Sequence, residues 1–111
     1  RGGAAVILPD NVTETFATTT EHGGHDHPDG RGMRFLEWTF DPDPADTSCE
    51  TVFAFLFRHA DGTVTADTER HVFGLFPRAS WQSWLRAEGF VVTTRIVPWN
   101  RDVFIARKPL A

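Results

Sequence analysis

The sequence predicts an α+β chain that is mostly β: an antiparallel meander, one helix, and short strands at the two ends. Three observations carry this prediction. Residues 33–73 hold three strand-like runs separated by turn residues. Trp81, Trp84 and Leu85 recur at i, i+3 and i+4, the spacing of one helix face. Ala4-Ala5-Val6-Ile7-Leu8 is a continuous apolar run closed by Pro9-Asp10. The length of 111 residues suits one domain, and 41% hydrophobic with 23% charged residues is ordinary globular composition.

Continuous apolarity in the first run predicts a strand buried on both faces. Its backbone groups need a neighbour, and nothing upstream supplies one. The chain starts at Arg1 and enters this strand directly after Gly2-Gly3, so it reads as the latter part of a longer domain. Residues 11–31 are polar; after one short helical turn within Asn11–Phe16 they read as loop, because Gly23, Gly24, Pro28 and Gly30 punctuate them.

Met33 to Phe40 puts Arg34, Leu36, Trp38 and Phe40 on one face and Phe35 with Glu37 on the other. Pro42 and Pro44 lack ladder donors and mark a turn. Val52 to Phe57 is apolar on both faces and predicts the central strand. Asp61-Gly62 is a hairpin signal, and Thr63 to Phe73 alternates beyond it. Phe76-Pro77 opens the helix, with Pro77 suited to its first turn, and Gly89 ends it as a left-handed cap. Phe90 to Val97 and Val103 to Ala106 read as a closing hairpin around Pro98–Arg101. The second sheet should run first strand, last strand, 91–97 strand, with every neighbour antiparallel. The expected division is a single unit over 1–111, with 1–10 and 76–111 forming one part, 11–31 a loop, and 32–75 the meander.

The formal net charge of -4 leaves no basic excess to neutralise phosphates, which argues against nucleic acid as a partner. No apolar run approaches the ~20 residues of a membrane span. Cys49 is the single cysteine, so no internal disulfide or thiolate metal site is expected, and a cytoplasmic location suits the chain.

Several of these segments together resemble a known family. Gly2-Gly3, the apolar strand and Pro9-Asp10 look like the fifth strand of class I S-adenosylmethionine-dependent methyltransferases. Phe76-Pro77, the helix, Gly89-Phe90 and the final hairpin look like that family's C-terminal end. The meander is similar to the β insertion of small-molecule members, including sugar N-methyltransferases of antibiotic pathways. Glu14-Thr15-Phe16, His22-Gly23-Gly24, Arg34-Phe35-Leu36-Glu37-Trp38, Arg70-His71, Gly74-Leu75-Phe76-Pro77 and Trp81 resemble an actinobacterial group within it. The resemblance implies the C-terminal strands of a Rossmann-like methyltransferase sheet carrying a meander insertion. It also implies methyl transfer from S-adenosylmethionine to nitrogen or oxygen of a small molecule. The glycine-rich loop and the ribose-holding acidic residue of the cofactor half have no counterpart here, so no cofactor-binding residue is assigned. The isolated fragment is expected to be inactive and to bind S-adenosylmethionine weakly at best.

Candidate residues follow from strand-end geometry and from the resemblance. Asp10 and Glu14 lie just past the first strand, where open α/β sheets bind ligands, and suit a cationic acceptor; Asp10 is equally placed to cap the short helical turn. His22 and His25 belong to the densest polar cluster, with Asp26, His27 and Asp29. An acceptor lid and a solvated loop both fit it, whereas its spacing matches no zinc pattern, so no metal ligand is assigned. Arg34 and Arg70 suit an acceptor pocket or cross-strand ion pairs. His71, ahead of the segment that the family places near its active site, is the candidate catalytic base. Trp38 and Phe76 are candidates to face substrate, while the other tryptophans read as core. Partners are a small-molecule acceptor and, through the open first strand, a second copy by edge pairing or strand exchange. Readings from other classes are a small β-rich binding module and a histidine-dependent metal protein.

Overall fold

The computed structural model describes residues 2–110. These form two compact units: one built from the residues up to Phe16 and from Leu75 onward, the other from Ala17–Gly74.

The first unit holds a three-stranded sheet in the order β1-β7-β6, from β1 (Ala4–Ile7), β6 (Val91–Val97) and β7 (Arg101–Arg107). Both pairings are antiparallel, as the sequence predicts. The middle strand β7 supplies the core: Phe104 and Ala106 are fully buried, Val103 nearly so, joined by Val12 and Leu75. The helix α1 (Arg78–Ala87) packs against β6 and β7, and Trp81 stacks on Phe104 at 6.1 Å. Pro77 is the residue before the first turn rather than within it, and its carbonyl accepts from Ser80 N–H. At the other end Gly89, at φ 88°, donates to the Arg86 carbonyl while Phe90 donates to that of Leu85. That is a Schellman ending, which needs the left-handed geometry of glycine.

Two expectations for this unit change. The strand β1 is not buried on both faces. It has a single neighbour, β7, and Val6 stays 60% exposed, because no layer covers it among the described residues. Trp84 and Trp99 are not core. Trp84 is 47% exposed on α1, and Trp99 is 93% exposed at the tip of the β6–β7 turn, where its φ is 70°.

The second unit is a four-stranded antiparallel sheet in the order β2-β3-β4-β5: β2 (Thr19–Asp26), β3 (Gly32–Phe40), β4 (Ser48–Arg58) and β5 (Val64–Gly74). The strand β4 lies between β3 and β5, consistent with its apolar character on both faces. The segment expected as loop contains β2, a full strand paired with β3 from Thr19↔Thr39 to Asp26↔Gly32. Its composition hid it. Two glycines and exposed polar residues give no apolar alternation, so the ladder to β3 supplies the order instead. Gly23 has a specific role there. A Cβ on it would fall 2.8 Å from the Phe35 ring, so the ring lies over the bare backbone of its cross-strand partner.

Candidate functional site

The predicted site residues fall into three groups. In the first unit lie Asp10, Glu14 and Phe76. Asp10 sits past β1, with its carboxylate 3.1 Å from Arg101 Nη2. Arg101 also donates to the Leu8 and Pro9 carbonyls, at 2.9 and 3.2 Å, which ties the end of β1 to the start of β7. Asp10 does not cap the 3-10 turn Thr13–Thr15; Thr15 Oγ1 closes that turn against Val12 instead. The Glu14 carboxylate accepts the Arg78 N–H at 2.9 Å and so satisfies an orphan donor at the start of α1. Arg78 in turn pairs through its guanidinium with the buried Asp102, Nη2 to Oδ1 at 3.0 Å. Phe76 meets Trp84 and Trp81 edge to face, at 4.9 and 6.3 Å.

The four-stranded sheet separates the remaining candidates by face. Residues paired across antiparallel strands share a face, and successive residues alternate. The register therefore puts every even-numbered strand residue on one face and every odd-numbered one on the other. His22, Arg34, Trp38 and Arg70 share the even face. Trp38 and Arg70 both pair with Val52, so they flank it in one row. This face is apolar and open, with Leu36, Trp38, Leu56, Val64 and Val72 all about half exposed. Its cations are answered locally: Arg70 pairs with Glu50, and Arg34 with Asp26 at 3.0 and 3.1 Å. The Arg34 hydrogen bond holds the Asp26 carboxyl below the usual carboxylate range.

His25 and His71 lie on the odd face. Its floor is aromatic: Phe53 stacks with Phe55, and Phe55 with Phe57, at 5.6 and 5.8 Å. His71 meets Phe53 edge-on at 5.5 Å, and its Nε2 lies 3.0 Å from Glu69 Oε2. Glu21, Glu37, Asp67 and Glu69 also belong to this face, and no arginine or lysine in its strands does. Glu21 and Glu37 are direct cross-strand partners, a like-charge pairing that weakens the sheet. Thr39 and Thr51 hydroxyls bond at 2.9 Å, and Cys49 is buried.

Arg34 and Arg70 are thus on the opposite face from His71, so one pocket within this sheet cannot gather all three. Glu69, the partner that orients His71, was not among the sequence-predicted residues. The signal for it is the shared parity of positions 69 and 71 on one strand. Among the described residues no group of three His, Cys, Asp or Glu is arranged to hold a metal ion. None of their helices is long and apolar enough to cross a membrane.

The chain matches no protein-family model and no curated protein sequence. Solved structures do resemble it. It superposes on Streptomyces venezuelae DesVI with a TM-score of 0.81 at 19% identity, over 96% of this chain and 44% of that one. The match to SAM-bound CalS10, an amino pentose methyltransferase from Micromonospora echinaspora involved in calicheamicin biosynthesis, has a TM-score of 0.81 at 16% identity, over 97% and 44%. For KedS8, a sugar N-methyltransferase from Streptoalloteichus, the TM-score is 0.80 at 21% identity, over 96% and 42%. The chain spans less than half the length of these proteins, and over that span it shares their fold.

Proposed function

We propose that the chain is the C-terminal, acceptor-binding part of an S-adenosylmethionine-dependent methyltransferase acting on nitrogen or oxygen of a small molecule. The observation that carries this is the fold match over 96–97% of the chain to three proteins, two of them described as sugar methyltransferases. The exposed apolar strand β1 supports it, since such a strand suits the interior of a larger sheet. The cofactor half would come from outside these 111 residues, and a cytoplasmic setting accompanies the reading.

Methyl transfer is an in-line displacement at the sulfonium: the acceptor lone pair bonds to the methyl carbon as the carbon–sulfur bond breaks. The enzyme's task is to align the two partners and to take the acceptor's proton. His71 is the base in this proposal. An Nε2–H donated to Glu69 leaves Nδ1 as the lone-pair acceptor. The carboxylates of the odd face complement a cationic amine, and the stacked phenylalanines favour the same charge. Of the other proposed acceptor contacts, His25 shares the odd face with His71, whereas His22, Arg34, Trp38 and Arg70 belong to the opposite face, where the Arg34 and Arg70 ion pairs compete with that role. Asp10, Glu14 and Phe76 are proposed contacts of the first unit, and the capping by Glu14 competes there.

Joined to a glycine-rich nucleotide-binding half, the chain should bind S-adenosylmethionine by calorimetry and methylate an amino sugar. Absence of binding in that joined protein would sink the proposal. The 111 residues alone should bind S-adenosylmethionine weakly or not at all, and should self-associate through the open edge of β1. A strictly monomeric species by sedimentation at high concentration counts against the second point.

A further inference from the structure

A cleft of about 380 Å³ lies at one end of the four-stranded sheet, within the size range of small-molecule sites. Two turns frame it. Residues 27–31 join β2 to β3 with Gly30 at φ 95°, and residues 59–63 join β4 to β5 with Gly62 at φ 88°. The Gly32↔Arg58 pairing brings both turns to the same end. His25, His27, Arg31, Arg58 and His59 line the cleft, over an apolar floor of Met33 and Phe57, and no carboxylate is in the lining.

These side chains are set by contacts with residues outside the lining. Arg31 Nε donates to Asp29 at 2.7 Å, and His27 Nδ1 is 3.0 Å from the same carboxylate. Arg58 Nε donates to the Gly30 carbonyl at 2.8 Å and its Nη2 stands 3.6 Å from Asp26. His59 Nε2 is 2.9 Å from Thr65 Oγ1. Four of the five nitrogen-bearing side chains are therefore held around one apolar floor, with His25 beside them. Ordering them costs a ligand less than gathering them from free rotamers would.

We propose that this cleft binds a phosphorylated small molecule with a planar or apolar group beside the phosphate. Two guanidinium forks and three imidazoles offer more N–H donors than a carboxylate has lone pairs to fill, whereas a phosphate has three oxygens to place. Phe57 and Met33 provide the surface for the apolar part. The site does not depend on the methyltransferase reading, since it involves no residue that the displacement uses except His25.

The test is an amide NMR titration of the protein with phenyl phosphate, inorganic phosphate, benzoate and sulfate. Phenyl phosphate should give saturable shifts confined to residues 25–33 and 57–63, with tighter binding than inorganic phosphate. Arg31→Lys and His59→Gln should each weaken it, the first by about tenfold for loss of a bidentate contact. Arg86→Gln, on α1, should leave it unchanged. Arg58→Gln also removes the bond to Gly30, so Arg31→Lys and His59→Gln decide the matter if that turn loosens. Absence of saturable shifts overturns the proposal. So does equal response to benzoate or sulfate, or unchanged affinity in both deciding variants.

Discussion

The two units of this chain are stabilised in different ways. The one around β7 has a core: Phe104 and Ala106 are fully buried, and the helix α1 closes over them with Trp81. The four-stranded sheet has almost none, and only Cys49 and Thr51 in it are buried. Its order comes from the backbone ladders of eight- to eleven-residue strands and from cross-strand pairs such as Gly23–Phe35 and Thr39–Thr51. Burial stabilises each residue by kilocalories, while a cross-strand pair contributes tenths to about 1 kcal/mol. The lesson is that the cored unit is the sensitive one. The sheet, with both faces largely open, is free to vary the side chains that meet ligands.

Substitutions should separate the two units in that order. Phe104→Ala should cost about 3–5 kcal/mol and unfold the first unit at temperatures where the sheet still gives its strand signal. Coincident loss of both signals would break the distinction. Asp102→Asn leaves Arg78 without its charge partner beside a fully buried position, so a loss of about 3 kcal/mol is expected by urea denaturation. Thr51→Val keeps the shape and removes one hydroxyl contact, so the sheet should lose about 1 kcal/mol at most. Arg70→Gln takes the cation from Glu50, whose side chain is only 13% exposed, and should lower the thermal midpoint slightly.

Acid should act on the opposite unit. Asp26 is held below the usual carboxylate range by the Arg34 hydrogen bond, Asp29 by the Arg31 backbone N–H, and Asp61 by the Thr63 hydroxyl. Each folded value lies below the unfolded one, about 3.9 for Asp. The stabilisation is therefore complete above about pH 4 and disappears as pH falls through the lowered values. Amide exchange should rise in the turns 27–31 and 59–63 on acidification below about pH 4, before it rises in 103–106. Simultaneous opening would show that the turns do not depend on these carboxylates.

Much of the fold was legible. The Asp61-Gly62 turn, the central position of the 52–57 run, the helix ending at Gly89 and the order of the short sheet all follow from local chemistry. The strand β2 was not legible, because its pattern of Gly23-Gly24 among histidines and acids lacks the apolar alternation by which a strand is recognised. Its order resides in the partner strand. Of the candidate site, the residue types were legible and their grouping was not. Arg34, Arg70 and His71 look like neighbours on adjacent strands, yet the parity of the register divides them between faces.

By itself the sequence determined the elements with strong local signals: a helix with its cap, two hairpins with their turns, and a meander of long strands. Those depend on periodicity and on the φ preferences of Gly and Pro, which act over a few residues. The tertiary structure alone decided which side chains meet. Pairing register set the two faces of the sheet, brought the turns at 27–31 and 59–63 to one cleft, and gave Glu14 to the start of α1 rather than leaving it open. The physical reason is that these contacts join residues far apart in the chain, and no short-range preference encodes a partner that distant.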